Sequence, residues 1–279
     1  MKTILVPLDY SEVSDNALNY AAELANLIRA KLILLHVYHV PVPAIEVPVV
    51  VIGWEELQKE NTERLNKIAE KTKNKSKNLE IEIRVSPGFA VDEILSLVKE
   101  DNIDLVVMGV TGAGRKTNML LGSNTVSVMK KSKTPVLIIP QKAQFKKVQN
   151  IVLAYDYKNA IDEAVIKEFK KIVKMFGAKV FVLDIVNPEE VPAYETAVAG
   201  ISLEKNLKDV DHMLFFPVSQ DVTEEINSFV DFHKADWLVM LPHHHSFLSG
   251  LFHRSNTKQM AFHTHVPLLS FAPLLSVHE

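Results

Sequence analysis

The chain has 279 residues, no cysteine, 47% hydrophobic and 23% charged residues, and Lys+Arg 31 against Asp+Glu 34 for a net charge of −3. That composition is globular rather than disordered, fits two domains of ordinary size, and offers no basic surplus for nucleic acid. The missing cysteines remove disulfides, thiolate zinc sites and cysteine nucleophiles, and fit a reducing compartment. In chain order, MKTILVPLDYSE reaches Asp9 without the apolar stretch of a signal peptide. The apolar runs at 32–35 and 135–139 are far too short to span a bilayer. A soluble, cytoplasmic chain is expected, with no membrane and no nucleic-acid partner.

Residues 3–8 read as a buried strand. Residues 11–28 follow as a helix, with Val13, Ala17, Leu18, Ala21, Leu24, Ala25 and Ile28 at helical spacing and Ser11 as N-cap. Further strands are expected over 31–39, 79–85, 103–109 and 135–140, and further helices over 55–73, 90–101 and 123–131. Most of the strands are continuous in Val, Ile and Leu, as strands covered on both faces should be, whereas 79–85 alternates charges and should have one wet face. Residues 41–53, PVPAIEVPVVVIG, form a proline-interrupted loop, read either as a lid or contact surface or as plain packing against a neighbour. Alternating strand and helix in this manner means an α/β, doubly wound parallel sheet.

The same scheme then recurs. TILVPLD at 3–9 is echoed by NIVLAYD at 150–156, with Asp9 and Asp156 147 residues apart. AKLILLHV at 30–37 is echoed by AKVFVLDI at an offset of 148. DLVVMG at 104–109 corresponds to DWLVML, Ser123-Asn124-Thr125 to Ser255-Asn256-Thr257, and Pro135-Val136-Leu137 to Pro267-Leu268-Leu269, all at an offset of 132. Ordered matches of this kind indicate a duplication. The second copy has lost 16 residues between the second and third landmarks, so 187–209 is too short for a second long helix and at best 201–208 makes two turns. Two Rossmann-like domains are expected, 1–142 and 148–279, each a five-stranded, mostly parallel sheet flanked by helices, with the Lys-rich stretch QKAQFKKVQ between them.

After the fourth strand comes a glycine-rich segment from Gly109 to Thr125, and then an apolar helix. Gly109, Gly112, Gly114 and Gly122 would let backbone N–H groups approach a phosphate, and Gly122-Ser123 opens a helix whose N-terminus favours an anion. The Ser123 and Thr125 hydroxyls can add hydrogen bonds. Gly109-x4-Gly114 followed by Arg115-Lys116-Thr117 nearly spells a P-loop, but the lysine comes one residue late and the motif follows the wrong strand. The spacing Gly109-x2-Gly112-x9-Gly122-Ser123, with the opening VPLDYSE, resembles the universal stress protein family, and both halves share the resemblance. The resemblance implies ATP or another adenine nucleotide, accompanied or not by Mg. It places Pro7, Leu8, Asp9 and Val37 around adenine and ribose, and Met108, Gly109, Gly112, Gly122, Ser123, Asn124 and Thr125 on ribose and phosphates. Arg115 and Lys116 either neutralise phosphate charge or stand as solvated surface charges. Gly109 and Gly122 can alternatively be turn and helix-start glycines, and Asp9 a helix-capping residue.

In the second copy Leu241, His244 and Arg254 stand where Gly109, Gly112 and Gly122 stand in the first, and Ala154 replaces Pro7. One nucleotide site per chain is therefore expected. Six of the 11 histidines fall at 243–265. His243, His244, His245 and His253, with Asp156 or Asp184 nearby, could hold zinc, could bind another anion, or could simply fill a vacated pocket. No nucleophile elbow, HExxH or paired-carboxylate motif argues for catalysis. A nucleotide-binding stress or regulatory protein is the leading expectation. A slow adenine-nucleotide phosphohydrolase and a metal- or anion-sensing module are the alternatives. Single-domain members of the family pair through their last strands, so an intramolecular pseudo-dimer of 135–140 with 266–273 is expected, with a further homodimer left open.

Overall fold

The structure is a computed structural model that describes residues 1–39, 53–76, 78–110, 122–155, 163–186, 188, 203–241 and 265–271. The chain divides into two compact units between residues 145 and 146. The first runs β1 (Thr3–Pro7), α1 (Glu12–Ile28), β2 (Lys31–Tyr38), α2 (Trp54–Lys75), β3 (Ile81–Pro87), α3 (Ala90–Glu100), β4 (Leu105–Gly109), α4 (Ser123–Lys131) and β5 (Val136–Ile139). Its strands lie in the order β3-β2-β1-β4-β5 and every pair is parallel. The winding reverses between β1 and β4, which opens a crevice at their carboxyl ends.

Burial explains the architecture. Ile4, Leu5, Val6, Leu32, Leu34, Leu35, Leu105, Val106, Val107 and the β5 residues Leu137, Ile138 and Ile139 are fully buried. Both faces of the central strands are thus covered by helices, as the continuous apolar runs require. β3 is the exception: it pairs with β2 alone, and its Glu82 joins Lys31 at 2.6 Å and pairs with Arg84. The strand also sits two residues later than its alternation suggests: its ladder with β2 begins at Ile81, opposite Leu32, and Leu79 is buried ahead of it. α1 begins as its sequence indicates, with the Ser11 hydroxyl accepting from Ser14 N–H. It ends at Arg29 in the left-handed region (φ 57°), while Ala30 N–H returns to Ala25 O at 2.9 Å.

The second unit runs β6 (Asn150–Ala154), α5 (Glu163–Phe176), β7 (Lys179–Leu183), α6 (203–207), β8 (His212–Phe215), α7 (Val222–Phe232), β9 (Trp237–Met240) and β10 (Leu268–Ser270). Its sheet, β10-β9-β6-β7-β8, is again parallel throughout. The protein is thus α/β, two tandem Rossmann-like domains, each a five-stranded parallel sheet flanked by helices. Between β7 and β8 the described residues include α6, inside the segment 201–208 where the sequence allows at best two turns.

Two features of the duplication gain a physical cause. Asp104 Oδ2 accepts from the N–H groups of Lys2 and Thr3 at 2.6 and 3.0 Å, and Asp236 Oδ2 accepts from Gln149 and Asn150 at 2.8 and 3.0 Å. In each unit one aspartate therefore ties the start of the first strand to the start of the fourth. Asp104→Ala should lower stability by about 1–3 kcal/mol, since charge-assisted bonds to two backbone donors are lost. Urea denaturation of the variant checks this, and an unchanged midpoint would remove the clamp from the account. The Lys-rich connecting stretch is also more than a polar spacer. Asn16 Nδ2 donates to Pro140 O and Ala143 O, both at 3.0 Å, and Phe145 packs edge-on to Tyr20 at 5.2 Å. No helix among the described residues is long and apolar enough to cross a membrane.

Candidate functional site

In the first unit a cavity of about 220 Å³ opens at the carboxyl ends of β1, β2 and β4. Pro7, Leu8 and Asp9 reach it from β1 and the loop beyond, Leu35 and Val37 from β2, and Met108 and Gly109 from β4. Gly122, Ser123, Asn124 and Thr125 reach it from the start of α4, Ser14 from α1, and Ala90 and Ile94 from α3. Ten of the residues singled out in the sequence are thus brought to one place although they come from four separate segments. Gly112, Gly114, Arg115 and Lys116 lie outside the described residues. Ser14, Leu35, Ala90 and Ile94 escape a motif search. Leu35 could have been found from Val37, because a strand returns to the same face every second residue, and Ala90 and Ile94 share a helix face at i, i+4.

Gly109 is demanded by packing. A Cβ there would lie 2.5 Å from Val13 Cγ1 and 2.9 Å from Val13 O, so α1 closes directly onto the end of β4. The Gly109 carbonyl accepts from the Thr125 hydroxyl at 3.0 Å, which ties β4 to the first turn of α4 and occupies the donor of a buried threonine. Gly122 N–H donates to Val110 O at 2.6 Å, so the two ends of the glycine-rich segment are joined to each other. Gly122 is the N-cap of α4 and supplies no side-chain cap. The first turn of α4 has no acidic residue, and its last turn carries Lys130 and Lys131. Its N-terminal dipole therefore faces the cavity rim with no carboxylate on the first turn to offset it.

Asp9 does take part in capping. Its Oδ1 accepts from Ser11 N–H at 3.1 Å and from the Ser11 hydroxyl at 2.6 Å, and this orients the hydroxyl that caps α1. It lines the cavity as well, so the capping and cavity roles coincide in one carboxylate. Next to it Tyr10 occupies the left-handed region at φ 63°, uncommon for a bulky residue. Its ring lies 4.1 Å from the His36 ring and 3.8 Å under the Arg64 guanidinium. Burial pushes the Tyr10 hydroxyl up to about 12, with Arg64 opposing. His36 Nδ1 meets Leu8 O at 2.8 Å, and since a carbonyl only accepts, Nδ1 carries the proton. These contacts pin the corner from which Leu8 and Asp9 reach the cavity.

A family model described as the universal stress protein family matches residues 1–140. The chain belongs to the universal stress protein family. A universal stress protein of Methanocaldococcus jannaschii is 30% identical over 155 residues, covering 50% of this chain and 96% of its own. The universal stress protein YxiE of Bacillus subtilis is 33% identical over 145 residues, covering 49% of this chain and 97% of its own. At the level of fold, a universal stress protein from Archaeoglobus fulgidus DSM 4304 covers 97% of this chain and 96% of its own, with a TM-score of 0.66 at 19% identity. The likeness in fold therefore extends over both units, whereas the matched family model covers the first.

Within this universal stress protein the second unit fills the equivalent positions. Leu241, Ala154 and Tyr155 stand where Gly109, Pro7 and Leu8 stand in the first, and all three are buried. His243, His244, His245, His253 and Asp156 lie outside the described residues. Among the described residues no group of three His, Cys, Asp or Glu is arranged to hold a metal ion. Asp184, the remaining acid named for such a site, is buried with its backbone N–H on Phe215 O at 3.1 Å.

Proposed function

We propose that this chain is a regulatory, nucleotide-binding protein whose first unit holds one adenine nucleotide, ATP foremost. The observation that carries the reading is the cavity itself, which gathers Pro7, Asp9, Val37, Gly109 and the first turn of α4 at the switch point of a parallel sheet. Apolar Leu8, Leu35, Val37, Ile94 and Met108 suit a purine, and the open helix start suits phosphate. The cavity volume, about 220 Å³, falls below the roughly 300–1,000 Å³ of a pocket that engulfs a whole ligand. That volume matches the nucleoside, and the phosphates extend to the start of α4.

Among the described residues, Asp9 is the only carboxylate lining the cavity. A Mg ion accompanying the nucleotide would accordingly be held mostly by phosphate oxygens and water. The same single acid favours binding over turnover, since proton transfer to and from a positioned water needs groups beyond one carboxylate already serving Ser11. Buried Leu241 in the place of Gly109 in the second unit supports one site per chain. Calorimetric titration with ATP is expected to give one site per chain, and labelled ATP should survive hours of incubation. No heat at millimolar ATP, or two equivalent sites, would overturn the proposal. Product appearing within minutes would replace binding by hydrolysis.

A further inference from the structure

The inference below rests on the adenine-nucleotide reading and names a further residue of that site. β2 and β3 end side by side, with Tyr38 opposite Pro87, and Gly88 N–H donates to Tyr38 O at 3.0 Å. Gly88 has φ 139°, which glycine tolerates and other residues avoid, and this turn leads the chain from β3 into α3. Val37 before the end of β2 and Ala90 at the start of α3 both line the cavity. Next to them along the chain, His39 two residues after Val37 and Phe89 just before Ala90 set their rings edge to face with centroids 5.0 Å apart at 83°. Phe89 is 67% exposed.

A lone exposed phenylalanine is ordinary on a protein surface. Its place is what matters here. Phe89 is the N-cap residue of α3, where Ser, Thr, Asp or Asn would satisfy a free amide, and it makes no such bond. Neither capping nor core packing accounts for the ring. An edge-to-face partner occupies at most one of its faces, and at that exposure another stays open, on the residue that precedes Ala90. A planar aromatic guest seated in the cavity would find there a ring already steadied by His39, with little conformational freedom left to lose.

We propose that Phe89, steadied by His39, is a base-contacting residue of the nucleotide site, stacking on the purine that projects past Val37 and Ala90. It supplies selectivity for the base, while the start of α4 answers to the phosphates. Three chains would be titrated with ATP: wild type, Phe89→Ala and Phe89→Trp. Phe89→Ala should bind about tenfold more weakly, as expected for loss of one base-aromatic stack. Its thermal midpoint should not move, because the side chain is exposed. Phe89→Trp should retain wild-type affinity. Its added indole emission, measured against the wild-type background of Trp54 and Trp237, should be quenched by ATP and not by inorganic tripolyphosphate. If wild type binds ATP and Phe89→Ala binds it as tightly, or if the added indole ignores ATP, the stacking role is overturned while the nucleotide site stands. A wild-type chain that binds no adenine nucleotide overturns the proposed function itself, and the stacking role with it.

Discussion

Gly109→Ala should destabilise the protein by about 1–3 kcal/mol, the usual cost of forcing extra atoms into a well-packed contact. It should also weaken ATP binding well beyond the tenfold expected at Phe89. The cause is local and steric. The new methyl would stand 2.5 Å from Val13 Cγ1 and 2.9 Å from Val13 O. The first contact is a β-branched side chain, stiff in a helix, and the second is helix backbone, so α1 must shift away from β4. That shift drags on Ser14 and Asp9, which reach the cavity from the same corner, and on the Gly109 carbonyl that anchors Thr125. Adding Val13→Ala to the variant should recover part of the stability by removing Cγ1 and leave the backbone contact in place. Chemical denaturation of the single and double variants, with ATP titration of each, checks both halves. A single variant as stable as wild type would show that the helix does not close on the strand as described. The duplication offers a natural counterpart: Leu241 takes the place of Gly109, and the residue matching Val13 is the smaller Ala160.

Trp237→Ala should be the most damaging substitution in the second unit, at about 3–5 kcal/mol for a large aromatic removed from a core. Trp237 is fully buried at the start of β9, with Ile151 opposite it in the ladder, and its ring meets Phe176 at 5.3 Å and 74°. An alanine would leave a void between the sheet and the end of α5 and strand the Phe176 edge contact. Trp237→Leu should cost less, because leucine fills part of that space and is the residue that the first unit carries at the matching position, Leu105. Equilibrium denaturation read by circular dichroism compares the two. Equal losses for alanine and leucine would mean that ring contact, rather than filled volume, sets the cost.

The elements were legible because their signals are local. The apolar spacing of α1, the Ser11 cap and the unbroken Val/Ile/Leu runs of β1, β2 and β4 each need only a few neighbouring residues to be read. The shift of β3 from 79–85 to Ile81–Pro87 shows the limit. An edge strand is bounded by which partner it finds, here β2, and its own alternation of charges does not state where the ladder begins. α6 falls inside the short segment expected to hold at best two turns.

The candidate site divides in the same way. Sequence alone determined that this is a duplicated α/β chain, that a glycine-rich segment follows the fourth strand of one copy, and that the other copy has lost those glycines. Those are matters of order and spacing along the chain. The tertiary structure decided what the residues touch. Asp104 clamps the start of β1 across 102 positions, and the β4 glycine is required by a valine on α1. Asp9 caps and lines the cavity together, and Ser14, Ala90 and Ile94 line it without any motif to announce them. Contacts between distant segments depend on sheet order and helix approach, and neither is written in the periodicity of the segments that meet.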